Sequence, residues 1–253
     1  MDKIAKSKLT VIVPAYNEGK TIEETILSLQ RQTLLPEKII VIDDCSTDDS
    51  VAIAEAHEDV RVIRHERNSG SPVQAWNEIL EAAKGEYVIF LSADDLLMPN
   101  TIETIEKTAD ERGGDWIFGD LLVIDENGAP LDEWVYANWP TEPVSALARG
   151  LRTKSIPVTM VAAFRTEWLR ENGCQAVDFD GMKVAGDTAT CIRWLTKWPA
   201  IRRVPDVLFK YRKHSGQQTE ELNEQRAELA QSMNALYLEL FDTPTLNLFV
   251  TLV

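Results

Sequence analysis

The first 120 residues repeat one pattern, in which a short apolar run is followed by an amphipathic stretch. Continuous runs rich in β-branched residues are typical of strands that are buried on both faces of a sheet. The stretches between them carry apolar residues at helical spacing, as at Ile22, Ile26 and Leu29. The strand-like runs cover residues 9–13, 39–42, 60–63, 87–91 and 116–118. The pattern predicts an α/β protein with a mostly parallel, Rossmann-like sheet flanked by helices.

The pattern changes after residue 120, where a smaller mixed β region is expected. Its predicted elements are a hairpin of strands 121–124 and 131–136 around a turn at 124–128, a helix over 186–197 and a strand over 207–211. An amphipathic helix is predicted for residues 220–241, and the apolar residues 246–253 are too few to span a bilayer. This last segment is expected to cover a groove, pair with another subunit or mark a truncation.

Carboxylates follow three of the predicted strands, at the point where each strand ends. Glu18 follows the first strand, Asp43 and Asp44 follow the second, and Asp94 and Asp95 follow the fourth. Ligands of open parallel sheets bind outside the carboxyl ends of the strands. The sequence therefore predicts a ligand site with five carboxylates at one edge of the sheet.

The charge of the chain limits what that ligand is. With 41 acidic against 26 basic residues, the net charge of −15 repels nucleic acid, which is excluded as a partner. A phosphate-bearing ligand would need local neutralisation, for which a divalent cation such as Mn²⁺ or Mg²⁺ is suited. The three cysteines lack the spacing of a zinc site or a disulfide framework, and the polar N-terminus does not resemble a signal peptide, which favours a cytoplasmic protein.

Each of these residues also has an ordinary structural explanation. Ser46 or Thr47 is a suitable N-cap for the helix after the second strand, and aspartates near a helix start favour the helix dipole. Asp187 lies where a helix is predicted to begin, and a lone histidine such as His214 is usually a surface residue. Asp94 and Asp95 are harder to explain, because the next helix has its own capping residue in Asn100.

Six stretches together resemble the family 2 inverting glycosyltransferases of the GT-A fold, over residues 8 to about 218. In order, they are VIVPAYNE at 11–18, IDDCSTD at 42–48, NSG at 68–70 before AWNEILEAAKGEYV at 75–88, LSADDLLMP at 91–99, GDTATCIRWL at 186–195 and YRKHSG at 211–216. The resemblance implies a GT-A domain over residues 1–218, with a nucleotide-binding half at 1–120 and an acceptor-binding and catalytic half at 121–218. Residues 219–253 would form a C-terminal helical extension.

The resemblance also implies a role for individual residues. The nucleotide-binding residues would be Pro14, Ala15, Tyr16, Glu18, Asp43, Asp44, Ser71 and Asp94, the last of these approaching the ribose and sugar. Asp95 would coordinate the metal, and His214 would reach the same cation or the diphosphate. Asp187 would be the general base that accepts the proton of the attacking hydroxyl.

The implied reaction is a metal-dependent, inverting transfer from a nucleoside-diphosphate sugar, with UDP favoured, to a hydroxyl of a glycan or lipid-linked acceptor. Bacterial-type surface polysaccharide assembly is the expected setting, with peripheral association at the inner face of the membrane and homo-oligomer formation left open. Acceptor recognition is expected in residues 131–182, where Trp134, Tyr136 and Trp139 either face a sugar or belong to the core.

Three positions depart from the family pattern, namely Ser92 in place of Asp, Trp76 in place of Arg and Gly186 in place of Glu. They motivate an alternative, a catalytically weak nucleotide-sugar-binding module that acts with a partner enzyme. A nucleotidyltransferase is a weaker alternative, because residues 14–20 lack the glycine-rich, basic phosphate loop that it needs.

Overall fold

The computed structural model describes residues 6–69, 78, 80, 82–136, 139–153, 156–173, 186–215 and 226–251. The strands are β1 (Leu9–Ala15), β2 (Lys38–Asp43), β3 (Val60–Arg64), β4 (Tyr87–Phe90), β5 (Leu96–Leu97), β6 (Trp116–Ile124), β7 (Pro130–Tyr136), β8 (Ala163–Arg165) and β9 (Ile201–Arg212). The helices are α1 (Ile22–Gln30), α2 (Ser50–Glu55), α3 (Thr101–Arg112), α4 (Pro143–Thr153), α5 (Thr166–Asn172), α6 (Gly186–Leu195), α7 (Arg226–Leu240) and α8 (Thr243–Thr251). Residues 78, 80 and 82 are also helical.

The N-terminal half of the sheet is parallel, as the apolar runs predict. Its strands lie in the order β3-β2-β1-β4, and Val11 of β1 pairs with Ile39 on one side and Ile89 on the other. Val11, Ile40 and Ile89 are fully or almost fully buried, because helices cover both faces of these strands. The carboxyl ends of β1, β2 and β4 therefore meet at the same edge.

The second half of the sheet is mixed, as expected from its irregular pattern. β8 lies antiparallel between β4 and β6, β9 runs parallel to β6, and β5 pairs antiparallel with β9. The predicted hairpin is confirmed, since β7 pairs antiparallel with β6. In its turn, Asp125 Oδ1 accepts hydrogen bonds from the backbone N–H groups of Asn127 at 2.9 Å and Ala129 at 2.8 Å.

Two apolar clusters lie on the two faces of the sheet. One packs α1 and α3 against β1, β2 and β4. The other is centred on rings at the start of β6 and its neighbours, where Trp116 and Phe164 have centroids 5.0 Å apart and Phe164 and Trp194 have centroids 5.1 Å apart. Such ring pairs add about 0.5–1.5 kcal/mol each beyond their buried area.

The C-terminal helices complete the second cluster. Met233, Tyr237 and Phe249 are buried in it, and the Tyr237 hydroxyl donates a hydrogen bond to the Leu147 carbonyl at 2.7 Å. A Cβ atom at Gly150 would lie 2.7 Å from the same hydroxyl, so the contact depends on glycine at that position. The predicted helix is confirmed over Arg226–Leu240, and α8 packs against this core through Leu246 and Phe249. Across the described residues, no helix is long and apolar enough to cross a membrane.

Candidate active site

The edge formed by the carboxyl ends of β1, β2 and β4 gathers acidic side chains, and the end of β9 reaches the same place. β9 arrives there because Leu96 and Leu97 of β5 pair with Lys210 and Phe209 of β9. That short antiparallel ladder places the residues before β5 beside those that end β9. The candidate active site is therefore built by parallel strands and completed by one distant segment.

A buried arginine holds the Asp94–Asp95 pair. The backbone N–H of Arg212 donates to Asp95 Oδ1 at 2.9 Å, and its Nε donates to the Asp94 carbonyl at 2.8 Å. One terminal nitrogen donates to the Glu126 carbonyl at 3.0 Å, and the other forms an ion pair with Glu24 of α1. Only 2% of the Arg212 side chain is exposed. The guanidinium thus ties three segments of the chain to the loop that carries the two aspartates.

The electrostatics of this pair favour an additional cation. Burial raises the pKa of Asp95 well above its ordinary value, and the charge of Asp94 adds to the increase. Burial and the charge of Asp94 likewise raise the pKa of Glu18, although the Thr21 hydroxyl donates to Glu18 at 3.0 Å. His214 Nε2 lies 3.1 Å from Asp94 Oδ2. The carboxyl group of Asp94 thus lies close enough to Glu18 and Asp95 to raise the pKa of both, at a largely buried edge of the sheet.

The second aspartate pair is bound by backbone and side-chain donors. Asp43 is 1% exposed and accepts the Ser46 N–H at 3.3 and 3.1 Å on its two oxygens. Asp44 accepts the Ser69 N–H at 2.9 and 3.1 Å, the Ser69 hydroxyl at 2.9 Å and His65 Nδ1 at 2.9 Å. Burial raises the pKa of Asp44, but the hydrogen bonds from His65 and Ser69 outweigh burial and bring it below its ordinary value. Asp44 is therefore held as a carboxylate.

The loops after β1 and β2 are joined by side-chain hydrogen bonds. The Asn17 N–H donates to the Ser46 hydroxyl at 2.9 Å, and Asn17 Oδ1 accepts the Thr47 N–H at 2.8 Å. The Glu18 N–H donates to the Ser50 hydroxyl at 2.8 Å. Asn17 has a φ of 56°, in the left-handed region that Asn tolerates better than most residues. The first loop therefore has one defined position relative to the second.

The prediction that Ser46 or Thr47 caps the following helix is wrong. Helix α2 begins at Ser50, and Asp49 at its N-cap position makes no side-chain capping bond. Instead, Asp48 Oδ1 accepts the Ser50 N–H at 3.0 Å. Ser46 and Thr47 lie too early in the chain to cap α2 because the loop first turns back to contact the segment after β1.

The other predicted residues fall in different places. Pro14 and Ala15 lie in β1, where the Ala15 carbonyl accepts the Asp44 N–H at 2.9 Å, and Tyr16 is 46% exposed beside them. Asp187 is the second residue of α6, and its side chain is not described. Ser71 lies outside the described residues, and so does Trp76.

The aromatic residues expected to recognise an acceptor are only partly described. Trp134 and Tyr136 lie in β7, and their side chains are not among those described. Trp139 packs against the second apolar cluster, and the Arg149 guanidinium lies 4.5 Å from its ring centroid. Arg149 is itself fixed by a 2.7 Å hydrogen bond to the Ile156 carbonyl. One face of Trp139 is therefore covered by protein.

Arg212 and His65 belong to the site but were not predicted. Arg212 lies in the YRKHSG stretch, in which the predicted role was given to His214 instead. His65 follows β3 directly, so applying the carboxyl-end rule to the third strand would have identified it. Its contact with Asp44 has no local signal in the sequence.

The donor set suits a hard divalent cation. Carboxylate oxygens are the ligands that Mg²⁺ and Mn²⁺ prefer, and Asp95 combines such oxygens with a raised pKa. Within the described part of the chain, no three His, Cys, Asp or Glu side chains form a metal-binding group.

The fold and the site define a class, an α/β protein of nucleotide-binding type with carboxylates at the ends of its parallel strands. A sequence profile described as "Glycosyl transferase family 2" matches residues 10–172, which is more than half of the chain. The chain therefore belongs to glycosyl transferase family 2.

Curated relatives match about half of the chain. "Glycosyltransferase GlyG" of Streptococcus pneumoniae is 37% identical over 122 residues, which cover 47% of this chain and 40% of GlyG. "Putative teichuronic acid biosynthesis glycosyltransferase TuaG" of Bacillus subtilis is 35% identical over 136 residues, which cover 52% of this chain and 54% of TuaG. The matched segments thus span about half of the length of these relatives.

A solved structure confirms the predicted GT-A fold. The structure titled "Crystal structure of S. aureus TarS 1-349 in complex with UDP-GlcNAc" superposes with a TM-score of 0.71 and 24% sequence identity. The match covers 91% of this chain and 66% of the TarS chain. The likeness therefore extends beyond residues 1–120 into the mixed half of the sheet.

Proposed function

We propose that this chain transfers a sugar from a UDP-sugar to a hydroxyl of a glycan or lipid-linked acceptor, with inversion at the anomeric carbon. One observation carries the proposal, namely that Glu18, Asp44, Asp94 and Asp95 gather at one edge of a family 2 fold. The TarS structure was obtained with UDP-GlcNAc, and the name of TuaG refers to teichuronic acid. The first supports a UDP-linked donor, and the second supports a role in surface polysaccharide assembly.

The donor would lie across the carboxyl ends of the strands. Tyr16 offers an exposed ring on which a base can stack, and Asp44 is a carboxylate that can accept from a base N–H or a ribose hydroxyl. Glu18 and Asp94 lie between this position and the end of β9, where ribose and sugar would follow. Pro14, Ala15, Asp43 and Ser71 complete the set of residues proposed to line the nucleotide.

Asp95 and His214 would hold the cation, Mn²⁺ or Mg²⁺, in this proposal. Bound there, the cation would neutralise charge on the diphosphate as it leaves. Arg212 keeps Asp95 and the Asp94 backbone in one arrangement before the donor arrives, so that little reorganisation is needed at the moment of reaction.

Asp187 would act as the general base. Inversion requires the acceptor hydroxyl to approach the anomeric carbon from the side opposite the diphosphate, and a carboxylate there can accept its proton as the bond forms. Asp187 lies in the first turn of α6, where the helix dipole favours the ionised carboxylate that a base requires. The reaction would take place in the cytoplasm, at the inner face of the membrane, where a nucleotide sugar and a lipid-linked acceptor meet.

The proposal is tested by measuring the affinity of UDP and of GDP, CDP and dTDP by calorimetry, with Mn²⁺ and with EDTA. We expect UDP to bind most tightly and only with the cation. Asp95→Asn should lower the affinity for UDP with Mn²⁺ by at least about tenfold, because a ligand to the cation is lost. It should leave the protein folded, since Asn can still accept the Arg212 N–H.

Asp187→Asn separates transfer from binding. We expect it to abolish donor hydrolysis and sugar transfer while leaving the affinity for UDP unchanged. Equal affinity for UDP with EDTA and with Mn²⁺ would contradict the role of the cation. A wild-type protein that binds UDP-sugars but neither hydrolyses nor transfers them would instead support the nucleotide-sugar-binding module.

A further inference from the structure

His65 lies between two carboxylates that come from different elements. Its Nδ1 is 2.9 Å from Asp44 Oδ1, in the loop after β2, and its Nε2 is 3.0 Å from Glu78 Oε2, on a helical residue. Only 8% of the His65 side chain is exposed. An ionised carboxylate only accepts hydrogen bonds, whereas a neutral imidazole donates from only one of its nitrogens. Two carboxylate partners therefore require the protonated ring.

Among the residues that the structure describes, the charged groups that face or flank this ring are its two carboxylate partners and its neighbours in the chain. Asp44 and Glu78 face its two nitrogens, while the flanking Arg64 and Glu66 are exposed on either side along the chain. Burial lowers the pKa of His65, but the hydrogen bonds to Asp44 and Glu78 outweigh burial and raise the pKa above its ordinary value. Geometry and electrostatics thus both favour the imidazolium.

The bond to His65 decides how Asp44 is oriented. A carboxylate has about four acceptor positions, and in Asp44 they receive His65, the shared N–H of Ser69 and the Ser69 hydroxyl. Oδ1 accepts from His65 Nδ1 and from the Ser69 N–H, while Oδ2 accepts from the same N–H and from the Ser69 hydroxyl. Among the described residues, His65 is the one donor to Asp44 that does not come from Ser69, so that without it the carboxylate can turn about the Ser69 contacts.

We propose that His65 is a positioning residue of the nucleotide site, whose protonated ring orients Asp44 for the base or ribose and thereby makes donor affinity depend on pH. The inference rests on the proposed function, because it assigns Asp44 to the nucleotide. His65 itself touches no substrate in this scheme. Glu78 acts one step further away, by keeping the ring protonated.

The sign of the pH effect follows from the raised pKa of His65. The bridge is complete below the ordinary histidine pKa of about 6.5 and is lost as the pH rises through the higher pKa of the folded protein. Affinity for UDP should therefore be high and constant at acidic pH and fall above that pKa. Titration of the nucleotide phosphate is common to all variants, so that comparing variants removes it.

The experiment is calorimetry of UDP binding with Mn²⁺ from pH 6 to 9, on the wild type and on three variants. His65→Gln should lower the affinity about tenfold at pH 6.5, as expected for loss of a charged hydrogen bond, and flatten the profile. Glu78→Gln should keep the affinity at acidic pH but move its fall to lower pH, because the ring loses a carboxylate partner. His57→Gln, a histidine remote from the site, should match the wild type at every pH.

Ring ¹⁵N NMR of the histidines gives a readout that is independent of binding. His65 should titrate above the ordinary histidine pKa in the wild type and lower in Glu78→Gln. If His65→Gln binds UDP with wild-type affinity and pH profile, or if Glu78→Gln leaves the midpoint unchanged, the inference is wrong while the proposed function stands. If the wild type does not bind UDP at any pH, the proposed function fails and the inference fails with it.

Discussion

Two aspartate pairs follow β2 and β4, the strands on either side of β1, and reach the same edge of the sheet, but the protein holds them by different means. Asp43 and Asp44 are surrounded by the backbone and hydroxyl of nearby serines and by one imidazole. Asp94 and Asp95 are held by Arg212, whose side chain is 2% exposed and reaches three other segments. A guanidinium stays charged at any pH, whereas the charge of an imidazole changes near neutrality.

Because of this difference, loss of the holding contacts should affect the stability of the protein differently at each pair. The contacts of the arginine-held pair contribute to the stability of the fold, because Arg212 is buried and donates to backbone carbonyls of two loops. The histidine-held pair can be loosened without unfolding, because its donors are one ring and the serines of two loops, after β2 and after β3. In the proposed function, the arginine-held pair serves a cation, which gains from permanent order, and the histidine-held pair serves a base, which gains from a contact that adjusts to the ligand. Substitutions on each side can break this contrast.

The largest effect is expected for Arg212→Met, which keeps much of the volume but removes the charge and the fork of donors. The carbonyls of Asp94 and Glu126 lose their bonds, and Asp95 loses a buried positive neighbour. Removing a buried charge that satisfies two carbonyls and lies beside a buried carboxyl group is expected to cost about 3–5 kcal/mol of unfolding free energy, as for one partner of a buried charge pair. Urea denaturation followed by circular dichroism measures it.

Glu24→Gln is the matched control for Arg212→Met. Glu24 is the exposed partner of the same arginine, with 55% of its side chain accessible. Exposed ion pairs contribute about 0–1 kcal/mol, so the control should lose no more than that. An Arg212→Met protein as stable as the Glu24→Gln protein would show that the second pair does not depend on its guanidinium.

The contrast also marks what the sequence alone could predict. Strands buried on both faces leave continuous apolar runs, so β1, β2 and β4 were found, and the aspartates stand out because they follow such runs directly. β9 was predicted only from residue 207, although it begins at Ile201. Its first half contains Arg203, whose charge is paired with Asp120 of β6 at 2.8 Å. A charged residue that is paired between two strands interrupts the run of apolar residues by which a strand is predicted.

The residues that hold the two aspartate pairs could not be predicted from the sequence for a related reason. Arg212 is 117 residues from Asp95, and His65 is 21 residues from Asp44. Which cation meets which carboxylate is decided by strand pairing, in one case by the two-residue strand β5. No local pattern encodes such a strand. The acidic half of the site is therefore visible in the sequence, and the cationic half becomes visible only in the fold.

A smaller effect is expected at Asn17, which fixes the loop beside the histidine-held pair. Asn17→Ala removes the bond to the Thr47 N–H and forces alanine into a φ of 56°, so that it should cost about 1.5 kcal/mol of unfolding free energy. Asn17→Gly removes the same bond, but glycine adopts this φ without strain. About half of that loss of unfolding free energy is therefore expected. Equal losses for the two variants in urea denaturation would contradict the backbone contribution.

The smallest effect is expected at Tyr16, and it separates the base from the diphosphate. Tyr16 is 46% exposed, so Tyr16→Ala should change stability by less than about 0.5 kcal/mol. Loss of a stacking ring costs about 1 kcal/mol, so affinity should fall about fivefold, while Tyr16→Phe retains it. Because the ring would act on the base alone, the affinities for uridine and for UDP should fall by the same factor in calorimetry.

Asp95→Asn should lower the affinity for UDP and leave the affinity for uridine unchanged. If both variants weaken both ligands alike, the two aspartate pairs serve one undivided site rather than a base half and a cation half.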